Sequence, residues 1–268
     1  MFRAYLLTIL RYLGLSHALD QVRYAYARLR NRKKNRTFLK EYSNFPLPPD
    51  YLMYESFRLD YAAYHRSGRE AAEWIKAHFA THTNDLAEKT ILDWGCGPGR
   101  VLRHLPDVFG YQGHYIGMDP NEGSIAWCKA YLVDIDARLC KLTPPLPTAD
   151  SSIDFLYGIS IFTHLSENAH RAWIEEIYRV LRPSGLALLT THGPAYKVKL
   201  TPNEKTSYDN GALVVRGKVQ EGHRIFTTYQ PPDYFKDLVQ EGGEVLKYVA
   251  GRERKWGIEQ DTWVIRKT

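Results

Sequence analysis

Cysteine is scarce in this chain of 268 residues, and the three present, Cys96, Cys128 and Cys140, form no C-x-x-C pair. An odd, unclustered set argues against a disulfide framework or a structural zinc site and favours a reducing compartment such as the cytoplasm. No long hydrophobic run opens the chain, because the apolar stretch from Ala4 to Leu10 ends at Arg11. That stretch is too short to span a bilayer, and no small-residue cleavage site follows it.

Acidic residues are nearly missing from the start of the chain. Residues 1–40 contain ten Lys or Arg and one acid, Asp20, whereas the other 228 residues carry 26 basic and 29 acidic side chains. The body is therefore close to neutral, and the high pI of about 9.0 comes from a basic N-terminal segment. Hydrophobic content of 44% and charged content of 25% are ordinary for a globular protein, which excludes a disordered or fibrous class.

The pattern of the basic segment predicts one or two helices with a break near Gly14 to Ser16. Two apolar stripes carry this prediction: Leu6, Ile9, Leu10 and Leu13, then Leu19, Val22, Tyr26 and Leu29. Such an arm either packs on its own domain or on a second subunit as a homo-oligomer contact, or it contacts a membrane surface or a polyanion. A peripheral position at the membrane surface is therefore the alternative to a purely cytoplasmic location.

The proline-rich stretch FPLPPD, Phe45 to Asp50, predicts a domain boundary. We accordingly divide the chain into a basic amphipathic arm (1–45), a helical cap (46–88) and a main domain (89–268). The cap pattern predicts two helices separated near Ser67 and Gly68. Four tyrosines in it are dense enough to form a cavity wall, although core packing is the commoner use of such residues: Tyr51, Tyr54, Tyr61 and Tyr64.

Short strands alternate with helices from Thr90 onward. The predicted strands are Thr90–Trp94, His114–Met118, Ala137–Cys140, Ile153–Ser160 and Leu186–Thr191. Ser166 predicts the N-cap of a helix between the last two, and a strand pair, a helix and two final strands follow. This order predicts an α/β fold with a doubly wound, mostly parallel seven-stranded sheet and an N-terminal helical cap and arm.

The stretch ILDWGCGPGR places three glycines, Gly95, Gly97 and Gly99, directly after the first strand. Ligands of open α/β sheets bind beyond the carboxyl ends of the strands, and Asp119 ends the second strand, where a carboxylate binds ribose hydroxyls. Both features suit a nucleoside cofactor. A dinucleotide would bring its pyrophosphate close to Asp93, which repels it, whereas S-adenosylmethionine carries an ammonium and a sulfonium that Asp93 attracts.

Several motifs in order resemble the class I S-adenosylmethionine-dependent methyltransferases. ILDWGCGPGR is similar to their first motif and GMDPN to their second. TADSSIDFLYGISIFTHL is similar to the segment around the fourth strand, and RVLRPSGLALLTTHG to the turn and fifth strand. The resemblance covers roughly Lys89 to Thr268 and implies a methyltransferase (EC 2.1.1.-).

The resemblance also implies site residues. Asp93, Gly95 and Gly97 would hold the methionine end of the cofactor, Asp119 the ribose, and residues around Leu142 would border the adenine. Ser160 would line the methyl-transfer cavity. The remaining cofactor residues are Gly99, Cys96 as a small residue of the loop, and Arg69 as a cap residue that reaches the cofactor carboxylate. Many relatives have an acid near position 142, and CKLTPP offers none here.

Two histidines at the carboxyl edge of the sheet, His164 and His192, are candidate bases. The N/D-P-P-Y run of many amino-group methyltransferases is replaced by GISIFT. We therefore expect a small-molecule acceptor, a hydroxyl of a sugar or secondary metabolite, in preference to a nucleic acid. Two alternatives stay open: a methyltransferase directed to RNA or another polyanion through the basic arm, and a non-catalytic scaffold.

Overall fold

The structure is a computed structural model that describes residues 16–217, 221–222 and 225–268. The first predicted apolar stripe of the arm lies outside the described residues. The helices are α1 Ser16–Glu41, α2 Asp50–Ser56, α3 Tyr61–Ala80, α4 Leu105–Phe109, α5 Glu122–Tyr131, α6 Glu167–Val180, α7 Pro202–Asp209 and α8 Pro232–Gln240. Three short 3₁₀ turns cover Leu102–His104, Phe162–His164 and Pro194–Lys199.

The strands are β1 Thr90–Trp94, β2 His114–Asp119, β3 Asp136–Leu139, β4 Ile153–Gly158, β5 Leu181–Thr191, β6 Val214–Arg216, β7 Thr227–Tyr229, β8 Gly243–Val249, β9 Glu253–Arg254, β10 Gly257–Ile258 and β11 Asp261–Lys267. Seven of them form one sheet in the order β3-β2-β1-β4-β5-β11-β8. β11 runs antiparallel to both of its neighbours, whereas β1 and β2, β2 and β3, and β4 and β5 pair in parallel. The predicted mostly parallel seven-stranded α/β fold is confirmed.

The chain divides into two compact units, with the division between Cys140 and Lys141. We call residues 16–140 the N-terminal unit and the described residues from Lys141 to Thr268 the C-terminal unit. The sequence-based boundaries at 45 and 88 stay a prediction. Among the described helices, none combines the length and the hydropathy that a membrane crossing requires.

In the N-terminal unit, α1 packs on the cap through a face that the apolar pattern did not predict. Its Tyr24 and Ala27 contact a buried cluster of Met53, Tyr54, Leu59 and Tyr64. On the same face, the buried Asp20 carboxylate accepts a hydrogen bond from Tyr54 Oη at 3.0 Å. Val22, Tyr26 and Leu29 of the predicted stripe are instead exposed. The buried side of α1 thus combines apolar contacts with the hydrogen-bonded Asp20.

The predicted break at Ser67 and Gly68 is wrong, because α3 is continuous there. The break lies earlier, before Asp60, whose side chain caps α3 by accepting from the Ala63 N–H at 3.0 Å. A Cβ on Gly68 would lie 2.1 Å from the carbonyl oxygen of Arg100. Glycine at this position therefore permits close packing against α3, which offsets its low helix propensity.

The C-terminal unit follows the predicted order of elements with shifted ends, but helix α7 and the β9–β10 pair were not predicted. Ser166 caps α6 as predicted, accepting from the Ala169 N–H at 3.4 Å. β5 begins at Leu181, before the predicted Leu186, because Leu181 already pairs with Ile153 of β4. The predicted strand pair is present as β6 and β7, which are antiparallel.

Candidate cofactor and acceptor sites

The three glycines after β1 share one backbone conformation. Gly95, Gly97 and Gly99 have φ of 80°, 51° and 71°, in the left-handed region that side chains disfavour. The loop is fixed at its start because the N–H groups of Gly95 and Cys96 donate to the Met118 carbonyl at 2.8 and 3.2 Å. The alternate spacing of the glycines is therefore required by the turn itself, before any ligand is considered.

Asp119, at the end of β2, holds this loop from the neighbouring strand. Its Oδ2 accepts from the Gly97 N–H at 2.8 Å and its Oδ1 from the Asn121 N–H at 2.8 Å. Burial raises the pKa of the Asp119 carboxyl, the two backbone N–H groups oppose that shift, and the charge of Glu55 adds to it. A carboxylate accepts about four hydrogen bonds, so each oxygen retains capacity for a ribose hydroxyl.

Asp93 and Cys96 are both buried beside the loop. The pKa of the Cys96 thiol is raised well above its ordinary value by a hydrogen bond with Cys128 and by burial, and further by the charges of Asp93 and Asp119. Cys96 is therefore a neutral thiol, which excludes a thiolate nucleophile and agrees with its expected role as a small residue of the loop. A second thiol, Cys128, donates to the Gly97 carbonyl at 3.6 Å.

Helix α2 also lines the loop, which sequence reasoning missed. A Cβ on Gly97 would lie 3.1 Å from Ser56 Cβ, and one on Gly123 would lie 3.7 Å from the Leu52 side chain. From α3, Tyr64 Oη donates to the Pro98 carbonyl at 3.0 Å. The tyrosine-rich composition of the cap was a usable signal for this contact.

Arg69 has acidic neighbours within the N-terminal unit. Its guanidinium lies 3.1 Å from Glu73 and 3.9 Å from Asp107, and its side chain is half exposed. These contacts give no support to a cofactor role, which stays a prediction. Leu142 and Ser160, both in the C-terminal unit, also stay predictions, as do the roles assigned to the loop residues.

In the C-terminal unit, Ser160 follows β4 with φ of +66°, a conformation that is strained for any residue but glycine. Its N–H donates to Thr190 Oγ1 at 2.7 Å, and its Oγ lies 3.0 Å from Thr163 Oγ1. Gln260 links the two sides, donating to Ser160 Oγ at 2.8 Å and accepting from Thr190 Oγ1 at 2.6 Å. Side-chain hydrogen bonds thus hold Ser160 in its unusual conformation.

Both candidate bases are oriented by backbone carbonyls. His192 Nδ1 lies 3.0 Å from the Thr228 oxygen, and His164 Nδ1 lies 2.6 Å from the Phe226 oxygen. Because a carbonyl only accepts, Nδ1 carries the proton in each neutral ring, and Nε2 is then the basic nitrogen. Burial, followed by the charge of His164, lowers the pKa of His192 to about 3.

Leu142 has contacts through both its backbone and its side chain. Its carbonyl accepts from Trp173 Nε1 at 3.3 Å, and a Cβ on Gly222 would lie 2.5 Å from its Cδ2. No group of three or more His, Cys, Asp or Glu among the described residues is placed to hold a metal ion.

Residues 91–185 match the family model described as "Methyltransferase domain". Over 121 residues the chain is 30% identical to a "Probable S-adenosylmethionine-dependent methyltransferase" of Mycolicibacterium smegmatis, covering 44% of this chain and 45% of that protein. Over 133 residues it is 32% identical to tRNA (carboxymethyluridine(34)-5-O)-methyltransferase of Arabidopsis thaliana, covering 49% of this chain and 30% of that one. The alignments thus span less than half of either relative.

A solved structure extends the match in fold. It is 1,6-didemethyltoxoflavin-N1-methyltransferase of Burkholderia thailandensis with bound S-adenosylhomocysteine, which is 15% identical over 84% of this chain and 93% of that one, with a TM-score of 0.54. The left-handed glycine loop, the buried Asp93 and the Asp119 carboxylate fit a cationic nucleoside cofactor in this chain. Over residues 91–185 the chain is therefore similar to S-adenosylmethionine-dependent methyltransferases.

Proposed function

We propose that this protein transfers a methyl group from S-adenosylmethionine to a hydroxyl of a small molecule, a sugar or secondary metabolite. The observation that carries the methyl-transfer part is the pair of hydrogen bonds by which Asp119 joins Gly97 and Asn121. This contact fixes a carboxylate at the glycine loop, where it accepts from the ribose. When bound, the cofactor supplies an electrophilic methyl group. The buried Asp93 carboxylate favours its positive charges.

The choice of a hydroxyl rests on the two histidines of the C-terminal unit. In the proposed reaction the bond from sulfur to the methyl carbon breaks, a bond from that carbon to the acceptor oxygen forms, and the hydroxyl proton goes to an imidazole Nε2. Since Nδ1 of each ring donates to a backbone carbonyl, Nε2 is the basic nitrogen of the neutral ring. An oriented base of this kind accelerates proton transfer by about 10²–10⁴-fold.

The two histidines have different parts in this proposal. A pKa of about 3 makes His192 a poor proton carrier near neutral pH, although its Nε2 still accepts a hydrogen bond. His192 is also held by stacking on Tyr196, with ring centroids 4.0 Å apart. We therefore assign proton removal to His164 and orientation of the acceptor hydroxyl to His192.

A second candidate function is methyl transfer to RNA. The Arabidopsis relative is named as a tRNA methyltransferase, and α1 carries eight basic residues, which suit a phosphate backbone. The missing N/D-P-P-Y run favours the small-molecule hydroxyl over a base amino group. The proposal places the protein in the cytoplasm, where both kinds of acceptor occur.

Two experiments test the proposal in sequence. The first is titration calorimetry with S-adenosylmethionine, with NAD as a negative control, on wild-type protein and Asp119→Ala. We expect binding to the methyl donor alone and its loss in the variant. No binding by folded wild-type protein would support the scaffold alternative instead.

The second experiment incubates the protein and labelled S-adenosylmethionine with a metabolite extract and, separately, with purified RNA. We expect label in an alkali-stable ether of a small molecule. Label confined to a defined RNA nucleotide, with none in metabolites, would reject the small-molecule acceptor and establish the RNA alternative.

A further inference from the structure

Helix α1 exposes a line of apolar side chains on the side that does not pack on its own unit. Val22, Tyr26 and Leu29 are 65%, 63% and 72% exposed, and their spacing of four and three residues places them on one face. We call these three residues the outer stripe. Single exposed apolar residues are normal, whereas an aligned set on one helix face marks a contact surface.

Basic side chains continue the exposed surface of α1 toward its carboxyl end. Arg30, Arg32, Lys33, Lys34 and Arg36 are all exposed, and none forms an ion pair with another residue of the described ranges. Of the two acids of α1, Asp20 is buried against Tyr54, which leaves Glu41 as a single exposed carboxylate against these five basic side chains. The exposed side of α1 is therefore both apolar and strongly cationic.

A cavity of about 350 Å³ opens beside this surface, lined in part by Arg28, Arg32, Arg36, Leu29, Leu39 and Asp50. Asp50 lies 3.4 Å from Arg28 and accepts from Tyr61 Oη at 2.6 Å, so it neutralises the first of the three arginines. Arg32 and Arg36 remain as an uncompensated pair of guanidinium groups. Guanidinium groups bind phosphate oxygens through paired hydrogen bonds, which suits an anionic phosphate ligand.

We propose that this side of α1 binds the surface of an anionic phospholipid bilayer. The outer stripe enters the boundary between headgroups and acyl chains, and Arg32 and Arg36 bind lipid phosphates. Leu29 belongs to both the outer stripe and the cavity lining. A single orientation of α1 on the bilayer therefore lets the stripe contact the acyl chains while Arg32 and Arg36 contact the phosphates. Interfacial helices gain affinity from both buried apolar area and attraction to anionic lipid.

Other occupants fit this surface less well. A second copy of the chain in a symmetric dimer would bring the same arginines and lysines against each other, which is unfavourable. An RNA strand would satisfy the basic residues through its phosphates, but it would offer little to the aliphatic side chains of Val22 and Leu29. A bilayer uses both sets of residues.

The test is co-sedimentation of the full chain with phosphatidylcholine vesicles that contain or lack phosphatidylglycerol. We expect binding only to the anionic vesicles. The double variant Arg32→Gln, Arg36→Gln is expected to bind about thirtyfold more weakly, since each basic residue contributes about 1 kcal/mol near an anionic surface. The double variant Val22→Gln, Leu29→Gln is expected to lose about tenfold or more through its apolar contribution.

The matched control is Lys205→Gln, Lys236→Gln, which removes the same charge from exposed positions of the C-terminal unit and should bind vesicles as wild-type protein does. Circular dichroism and melting temperature verify that each variant is folded. Equal binding to neutral and anionic vesicles, or unchanged binding by both α1 variants, would overturn the proposal. So would vesicle-independent binding to RNA, or a dimer in light scattering that Val22→Gln, Leu29→Gln dissociates.

Discussion

The carboxylate of Asp119 accepts a hydrogen bond from the backbone N–H of Gly97 at 2.8 Å, across a separation of 22 residues. This contact joins the end of β2 to the turn that follows β1. The residue expected to bind the ribose therefore also positions the loop expected to hold the methionine part. The two roles are coupled, and substitutions at either residue are expected to affect both the cofactor and the fold.

We predict that Asp119→Asn weakens binding of S-adenosylmethionine by about tenfold to a hundredfold, because hydrogen bonds to a charged group contribute about 1.5–3 kcal/mol. The amide can accept from one backbone N–H but directs its own N–H groups toward the other partner, so the free energy of unfolding should also fall by about 1–3 kcal/mol. Titration calorimetry and urea unfolding measure the two effects.

Asp136→Asn is the matched control, since Asp136 lies in the same unit on β3 and pairs with Arg138 near the surface. We expect this variant to bind the cofactor as wild-type protein does. Undiminished affinity in Asp119→Asn would contradict the ribose assignment, even if stability fell.

Gly97→Ala is predicted to destabilise the protein for two separable reasons. A left-handed φ of 51° costs a non-glycine residue about 1–2 kcal/mol. The new Cβ would also lie 3.1 Å from Ser56 Cβ, so α2 must move. Adding Ser56→Gly removes the second penalty. Thermal unfolding should therefore show that Gly97→Ala costs less stability in the Ser56→Gly background than in wild-type protein.

Gly211→Ala is the comparison for the backbone contribution. Gly211 has φ of 82°, and a Cβ there would meet nothing within 4 Å. Its loss of stability should be smaller than that of Gly97→Ala. Equal losses in the two variants would mean that the contact with Ser56 has no energetic effect.

His164→Asn is predicted to lower kcat by about 10²–10⁴-fold on the hydroxyl acceptor. The asparagine amide replaces the Nδ1–H that donates to the Phe226 carbonyl but has no counterpart of Nε2. The structure should therefore be kept while proton removal is lost. Steady-state kinetics over a range of pH values measure the effect once an acceptor is known.

His192→Asn is the companion variant, because it likewise keeps the donor to the Thr228 carbonyl. We expect it to raise KM for the acceptor more than it lowers kcat, since His192 is assigned to orientation. The reverse ranking, with kcat lost mainly in His192→Asn, would exchange the two roles.

The stability of the protein is predicted to fall as the pH falls below about 6.5. Burial lowers the pKa of His192 from 6.5 to about 3, and burial likewise lowers the pKa values of His104 and His170 to about 4. In this range the unfolded chain binds protons that the folded chain excludes. The contribution of the neutral histidines to the free energy of unfolding is therefore fully present above pH 6.5 and is lost toward pH 3. The loss is up to about 1.4 kcal/mol per pH unit for each group.

Denaturant unfolding at several pH values measures this slope. His192→Asn removes one of these titrating groups and should reduce the slope. A slope that is identical in wild-type protein and His192→Asn would show that the ring is not held neutral in the fold.

The sequence alone determined the strands of the main sheet, the class of that sheet and the position of the glycine loop. These depend on local information: apolar periodicity, the Ser166 cap, and glycines at positions where the backbone requires positive φ. The position of Asp119 at the end of β2 followed from the same pattern.

Only the tertiary structure decided which face of α1 is buried, where the cap helices break, and that α2 lines the glycine loop. Each of these depends on contacts between residues distant in sequence, such as Tyr54 with Asp20 or Gly68 against the backbone of Arg100. Periodicity marked the apolar stripe of α1 as its contact face, whereas within the N-terminal unit the helix packs through Tyr24, Ala27 and the hydrogen-bonded Asp20. A local sequence pattern does not identify such partners, because these contacts form only once the chain has folded.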